Sequence, residues 1–385
     1  MTNNMRILFI TDFLIKPKQG GQMVAENHYN ALCNEYGVNN IEVVAFGREL
    51  EKYSEKYCKL LMDDSLCGKI KNIFARRPFF CSKGSLNKIM DKLQEKEYDV
   101  VYFDNSCMGG IAKRIKMNHP NILIVIFSHG VYANSERQII SRKKGLGKFE
   151  YIFISLNLVD NERLSTKYAD QFGVLNKRDG QELEKWHHKK PDFYLPITYD
   201  DTATITKLDR DATFNILFVG GYFWPNVEGV KWFSKNVVPY IPNCCRFLVV
   251  GRGMEKLRNE KELNNDKVIV IGSVDDLHEW YNKADIVVAP IFCGDGMKTK
   301  TAEALMYGKY FLCTQEALCG YENLDEYHCE TANEFISHIT ELVSNPQPRY
   351  NENLRQIFLK RYSTAAAQKI LAKSFIDARR KKISI

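Results

Sequence analysis

The chain has 385 residues, 45% hydrophobic and 26% charged, a composition that fits two ordinary domains and excludes a disordered or fibrous protein. Its net charge of +7 hides three zones: +8 over residues 1–190, −8 over 191–359 and +7 over 360–385, so the first half or the tail is expected to face something anionic. The eleven cysteines form no CxxC pair, and Cys244 and Cys245 are adjacent, which points to reduced thiols rather than a disulfide framework or a zinc site.

The start, Met1–Asn4 followed by strand-like residues to Thr11, lacks the basic, apolar and small-residue segments of a secretory signal. No apolar run approaches the ~20 residues that span a bilayer. A cytoplasmic protein is expected, soluble or peripheral at the inner face of the cytoplasmic membrane. From Arg6, short runs rich in Ile, Val and Phe alternate with longer polar stretches: Arg6–Thr11, Ile41–Phe46, Val100–Phe103, Ile122–Phe127 and Phe172–Leu175. Continuous apolar runs in this rhythm predict parallel strands buried on both faces and joined by helices. Residues 1–190 are read as one Rossmann-like domain. The Leu195-Pro196 break and the polar Thr198–Thr204 make 191–211 a linker. The rhythm restarts with Ile216–Val219, Phe247–Val250, Val268–Ile271, Ile286–Ala289 and Tyr310–Cys313, so 212–360 is a second domain, and 361–385 is a closing helix. The fold class is α/β, two doubly wound domains facing a cleft.

In the second domain the strand ends carry Gly220-Gly221, Gly251, Gly272 and Pro290, which places loops at the carboxyl ends of parallel strands, where such sheets bind ligands. The densest signal is Pro290–Lys309: a loop with Gly294 and Gly296 enters a helix that carries Lys298, Lys300 and Glu303. A helix start offers unpaired N–H groups and about half a positive charge, enough to hold a phosphate, and the lysines add full charges. Glu303, one turn in, can accept hydrogen bonds from two vicinal hydroxyls such as a ribose presents. The plainer alternative is a glycine-containing turn with solvated lysines. Gly251-Arg252-Gly253 begins like a dinucleotide fingerprint, but Lys256 takes the third glycine's place, so Arg252 is read as an extra phosphate partner. In the first domain Gly20-Gly21 forms a second turn where backbone can approach a ligand, and His129, in Ser128-His129-Gly130 at a strand's end, can hold a polar ligand or developing charge. An isolated histidine also often just packs. His187 and His188, beside Lys189 and Lys190, read as solvent-facing.

The blocks Phe218–Gly221, Trp224-Pro225-Asn226, Val250–Gly253, Ile271–Leu277, Ala284–Pro290 and Gly294–Gly308 resemble, in order, the donor domain of GT-B glycosyltransferases, and more narrowly the retaining group 1, family 4 type. The first half is similar more loosely, through Gly20-Gly21, Ser128–Gly130 and Lys167–Asp179. The resemblance implies a nucleotide-diphospho-sugar donor on the second domain, a UDP-sugar being favoured, with Gly221, Gly296, Met297, Lys298 and Thr299 near phosphates or sugar. It implies Glu303 on the ribose and the base near Ser273 and Val274. The family's two glutamates eight positions apart become Asp295 and Glu303 here. Many members carry an Arg and a Lys after the domain's first strand. This chain has Tyr222–Asn226 there, so the countercharge is expected from Lys298, Lys300 or Arg252. No bound cofactor and no metal are expected: a departing diphosphate is stabilised by amides and lysines, with His129 holding the sugar or the developing charge.

A glycan or polyprenyl-linked acceptor in surface polysaccharide synthesis is the partner that the resemblance implies, and nucleic acid is not expected, there being no zinc-finger or RNP signature. An anionic membrane surface is a further expected partner, through the cations Lys69, Lys71, Arg76 and Arg77 with the aromatics Phe79 and Phe80. Arg142, Lys143, Lys144 and Lys148 form a second basic cluster. Two other readings of the two-domain pattern stand beside this one: a nonhydrolysing nucleotide-sugar 2-epimerase, which needs several acid–base groups, and a catalytically silent nucleotide-sugar or glycan-binding protein.

Overall fold

The computed structural model describes residues 5–14, 21–133, 136–137, 140, 147–206, 212–294 and 296–383. They divide into two compact units: residues 1–199 with 364–385, and residues 200–363. The first unit holds a seven-stranded sheet of order β3-β2-β1-β4-β5-β6-β7, formed by Ile7–Thr11, Ile41–Gly47, Cys58–Leu61, Val100–Phe103, Leu123–Ser128, Gln171–Val174 and Phe193–Tyr194 (β1 to β7 in chain order). Every pairing is parallel. Its helices are α1 (Gly21–Tyr36), α2 (Leu66–Phe74), α3 (Lys83–Glu95), α4 (Gly109–Asn118), α5 (Gly147–Tyr168) and α6 (Lys177–His187). Both faces of the sheet are covered, which is why the strand sequences are continuously apolar. Leu8, Ile10, Val44, Phe46, Val101 and Phe103 share a core with Ile111 and Leu158 of the helices. On the alternate face, Tyr36 of α1 stacks on Phe375 with centroids 5.7 Å apart.

Phe375 belongs to the last helix, Thr364–Ile383, which is therefore part of the first unit. Its basic end is tied down: Arg379 pairs with Asp99 at 2.6 Å, Lys381 pairs with Asp192 at 2.8 Å, and Lys382 donates to the Pro120 carbonyl. Cations at a helix C-terminus are favourable in their own right, and the tail's charge serves this docking. All eleven cysteines are free thiols. The aromatics Phe79 and Phe80, expected at a membrane surface, are core residues instead: Phe80 is 2% exposed and meets Phe46 edge-on at 5.3 Å, and Phe79 packs half-buried against the same core. Arg142, Lys143 and Lys144 lie outside the described residues, and among the described ones no helix is long and apolar enough to cross a membrane.

The linker expectation needs correction. Phe193–Tyr194 is the edge strand β7 beside β6, and Leu195, Ile197 and Tyr199 are buried, so the first unit runs to Tyr199. Pairing with β6 and burial decide the matter, neither of which the local polarity reveals. The second unit carries a five-stranded parallel sheet of order β10-β9-β8-β11-β12, from Phe214–Val219, Cys245–Val250, Val268–Gly272, Ile286–Ala289 and Phe311–Cys313 (β8 to β12). Its helices are α7 (Trp224–Asn236), α8 (His278–Lys283), α9 (Thr299–Met306), α10 (Gln315–Leu318), α11 (Ala332–Ser344) and α12 (Glu352–Arg361), which makes the closing helix α13.

Candidate active site

In each sheet the strand order reverses once, between β1 and β4 in the first unit and between β8 and β11 in the second. Loops leaving such a switch point diverge and open a crevice at the carboxyl ends. In the second unit the loops after β8, β9 and β10 lock together: Gly220 N–H donates to Val250 O, Gly251 N–H to Gly272 O and Tyr222 N–H to Arg252 O. Gly251 sits at φ +146°, and a Cβ there would lie 2.0 Å from Gly220 O. Gly251→Ala is therefore expected to cost about 2–3 kcal/mol, as overpacking and a strained φ do. Urea unfolding measures it.

Lys298 and Lys300 look alike in the sequence, and the structure separates them. Lys298, the N-cap residue of α9, spends its charge on Glu316 at 2.7 Å. Lys300 is buried, with its Nζ 3.0 Å from Asn226 Oδ1 in the first turn of α7 and 5.5 Å above the Phe218 ring. No carboxylate pairs with it among the described residues. Burial, opposed by Glu303 and reinforced by Lys298, lowers its pKa to about 8. A cation thus stands under the turn where the sequence lacks one. Asn226 also donates to Gly221 O at 2.9 Å, fixing the turn and the lysine together.

Glu303 accepts from Tyr281 Oη at 2.8 Å through Oε2. Burial pushes its carboxyl above the usual range, against the Tyr281 hydrogen bond and the Lys300 charge. Lys300 and Glu303 stand on one short helix at the β11 end, and Tyr321 Oη steadies its start by donating to Lys298 O at 2.7 Å. Thr299 opens α9, Gly296 takes φ +64° and Met297 is buried. Arg252 is exposed, as is Ser273, while Val274 is half-buried after β10. Glu255, whose carboxyl is lowered by backbone hydrogen bonds, its own N–H first and that of Ser273 among the others, lies beside the place the resemblance implies for the base. Asp295 lies outside the described residues.

In the first unit the switch point gathers a charged cluster. His129 Nε2 lies 2.8 Å from Asp104 O and 3.4 Å from Asp104 Oδ2, while His28 Nδ1 lies 3.1 Å from Asp104 Oδ1 and 3.0 Å from Tyr102 Oη. Asp104 is fully buried, yet its two histidine partners outweigh burial and hold its carboxyl below the usual range. Burial alone lowers a histidine, but the Asp104 charge and hydrogen bonds leave His129 raised; His28, where burial wins, is lowered. The two shifts run in the directions that favour a carboxylate on Asp104 and a proton on His129. His129 Nδ1 has no partner among the described residues and lies 3.8 Å from where a Cβ on Gly21 would be, beside the start of α1. Gly21 and His129, read separately in the sequence, are thus neighbours; Gly20 lies outside the described residues. The sequence reading missed Asp104 and His28. The first directly follows strand β4, and the second sits between Val24 and Leu32 on the buried stripe of α1.

His187 is not solvent-facing. Its ring lies 2.8 Å from Glu162, a buried carboxylate that also accepts from the Tyr132 and Ala133 N–H groups and the Ser106 hydroxyl. Leu183, one turn earlier and fully buried, marks that inward face of α6. Among the described residues no cluster of three or more His, Cys, Asp or Glu is placed to hold a metal.

Residues 213–345 match the family model of the glycosyl transferases group 1, a span that contains every donor-domain motif from Phe218 to Gly308. That match lies within the second unit, and the chain as a whole has the GT-B fold of the solved structures it resembles. No curated protein sequence matches this chain. Solved structures do. The apo form of the lipopolysaccharide outer core galactosyltransferase WaaB is 15% identical with a TM-score of 0.64, over 98% of this chain and 100% of that one. Anabaena HepE in complex with UDP is 14% identical with a TM-score of 0.68, over 97% and 100%. TarM is 11% identical with a TM-score of 0.66, over 96% and 98%.

Proposed function

We propose that this glycosyltransferase moves a hexose from a UDP-sugar to a glycan or polyprenyl-linked acceptor, with retention and without a divalent metal. Lys300 carries the reading. A buried ammonium with an amide and an aromatic face as neighbours, and no carboxylate paired to it among the described residues, is costly unless an anion completes it. The β8–α7 turn above it and the start of α9 supply the amides a diphosphate needs. As the glycosidic bond breaks, negative charge grows on the leaving UDP. Lys300 and the N-terminal amides of α9 stabilise that charge more in the transition state than in the ground state, with Arg252 as the outer cation. Glu303, held through one oxygen by Tyr281, has Oε1 for the ribose hydroxyls. His129, whose proton the neighbouring Asp104 carboxylate favours, is assigned to the transferred sugar. Anabaena HepE, solved with UDP and with UDP-glucose, supports the uridine donor.

Thermal shift against UDP, GDP and ADP, followed by turnover on a panel of UDP-sugars, tests the reading. UDP at 100 times its dissociation constant should stabilise by about 2.7 kcal/mol and exceed the other two. Turnover should persist in chelator, and NMR of the product should show retention at the anomeric carbon. Conversion of the sugar to its 2-epimer without acceptor would make the protein an epimerase. Binding with neither hydrolysis nor transfer would make it a silent binding protein.

A further inference from the structure

The buried carboxylate of Glu162 is filled by four donors. Oε1 accepts from the Tyr132 N–H at 3.0 Å and the Ser106 hydroxyl at 3.2 Å, and Oε2 accepts from the Ala133 N–H at 3.3 Å and from His187 Nε2 at 2.8 Å. These occupy the acceptor sites of a carboxylate, and among the described residues no lysine or arginine pairs with it. Its place follows from the packing of α5 on α4. A Cβ on Gly109, the first residue of α4, would lie 2.0 Å from Asn161 O, and the Gly110 N–H donates to Asn161 Oδ1 at 2.9 Å. Only glycine lets the α5 backbone come so close, and this approach sets Glu162, one residue on, at the carboxyl ends of β4 and β5.

The segment that Glu162 holds is the one that carries His129. Ser128 Oγ lies 2.9 Å from Ser106 Oγ and donates to Gly130 O at 2.6 Å. The chain on both sides of His129 is thus tied to one carboxylate, through Ser106 before it and through the Tyr132 and Ala133 N–H groups after it. The ring itself is held at Nε2 by Asp104 and is met edge-on by Phe13 and Phe127 at 4.8 and 5.3 Å, which leaves Nδ1 for a ligand. Stability alone gives little reason for such a carboxylate, because taking a charge out of water costs about what its hydrogen bonds return. Position is what it supplies.

We propose that Glu162 is a positioning residue for sugar transfer: anchored by His187, it fixes the backbone that follows β5 and thereby the place of His129 Nδ1. This rests on the assignment of His129 to the transferred sugar and adds the groups that hold it there. Because Glu162 grips main-chain N–H groups, any shift of its carboxylate moves the backbone and carries the imidazole along. A misplacement of about 1 Å costs about 10²-fold in rate.

NMR titration of the histidine rings in the full chain tests this, with His129→Ala identifying the His129 signal by its loss. Burial pulls His129 down, but the charge and hydrogen bonds of Asp104, with the charge of Asp12, leave it raised above 6.5. In Glu162→Gln one amide end turns a donor toward the Tyr132 or Ala133 N–H, so the segment shifts and the His129 midpoint should fall toward 6.5. That variant also removes a charge. His187→Leu keeps the charge and removes one donor, and it should lower the midpoint in the same direction, while His187→Gln, whose amide still donates, should restore it. With UDP-glucose as the probe donor, Glu162→Gln should lower kcat by about 10²-fold at nearly unchanged KM. His129→Ala/Glu162→Gln should be about as slow as His129→Ala, because a residue that acts through another adds nothing once that one is gone. The proposal is overturned if the midpoint stays at the parent's value in both Glu162→Gln and His187→Leu, or if the two single losses multiply in the double variant, as a structural role independent of His129 would make them. Should Glu162→Gln fail to fold, the two His187 variants decide through the titration. Parent-like turnover of His129→Ala strikes the assignment of His129 and the proposal with it, whereas multiplying losses strike the proposal and leave that assignment standing.

Discussion

Lys300→Met is expected to lower kcat/KM for the UDP-sugar by about 10²–10³-fold, the scale seen when one preorganised charge-stabilising group is removed, while leaving the unliganded protein as stable as before to within about 1 kcal/mol. Methionine keeps the stem's length and apolar packing on Phe218 and loses the bond to Asn226 Oδ1. Against that loss stands the relief of a buried cation. A lysine whose folded pKa lies near 8, below its ordinary 10.5, destabilises the fold fully below pH 8, and the cost fades as pH rises from 8 to 10.5. The variant should therefore compare best with the parent at pH 7 and worst near pH 10. The ligand reverses the sign. A bound diphosphate needs the ammonium, so the parent's affinity for UDP should fall as pH rises through about 8, and binding above that pH should take up a proton, visible by calorimetry in buffers of different ionisation enthalpy. If Lys300→Met lost activity and unliganded stability together, the lysine would be a structural group and the donor site would lie elsewhere.

That test singles out Lys300 because the structure distinguishes what the sequence leaves equivalent. The strands were legible, Val100–Phe103 and Ile286–Ala289 to the residue, since a strand buried on both faces must be apolar throughout. Edge strands escape this logic. Cys58–Leu61 carries a lysine and an exposed leucine, and Phe193–Tyr194 is two residues long beside a proline. The glycine punctuation after β8, β9 and β10 was also legible, because each glycine marks a backbone conformation or approach that other residues resist. Partnership of charges was not. Glu316, which neutralises Lys298, is 18 residues away in the chain, and nothing local to Phe79-Phe80 tells that Phe46 covers them. His187 was misjudged by its lysine neighbours, although its spacing from Leu183 already placed it on the inner face of α6.

Asp104 shows how far a missed residue can govern a predicted one. His129→Ala should reduce kcat by about 10²-fold or more if the imidazolium holds charge in the transition state. Asp104→Asn keeps the shape and removes the charge that protonates it. Breaking a buried ion pair by removing one partner costs about 3–5 kcal/mol, which urea unfolding near pH 5 should report. The window follows from the signs. His129 is raised above 6.5, so its share is complete below 6.5 and is lost as pH climbs through the folded value; Asp104 is depressed below 3.8, so its share is complete above 3.8 and is lost as pH drops through its folded value. The pair's contribution therefore peaks between those limits, and the difference between parent and variant should shrink on either side. Activity discriminates a structural role from an electrostatic one. In the parent, kcat should decline on the alkaline side as His129 deprotonates, and in Asp104→Asn that decline should move to lower pH, with KM for the donor nearly unchanged. If the variant kept the parent's alkaline limb after its stability loss was allowed for, Asp104 would not set the charge of His129, and the role assigned to the imidazolium would fall with it.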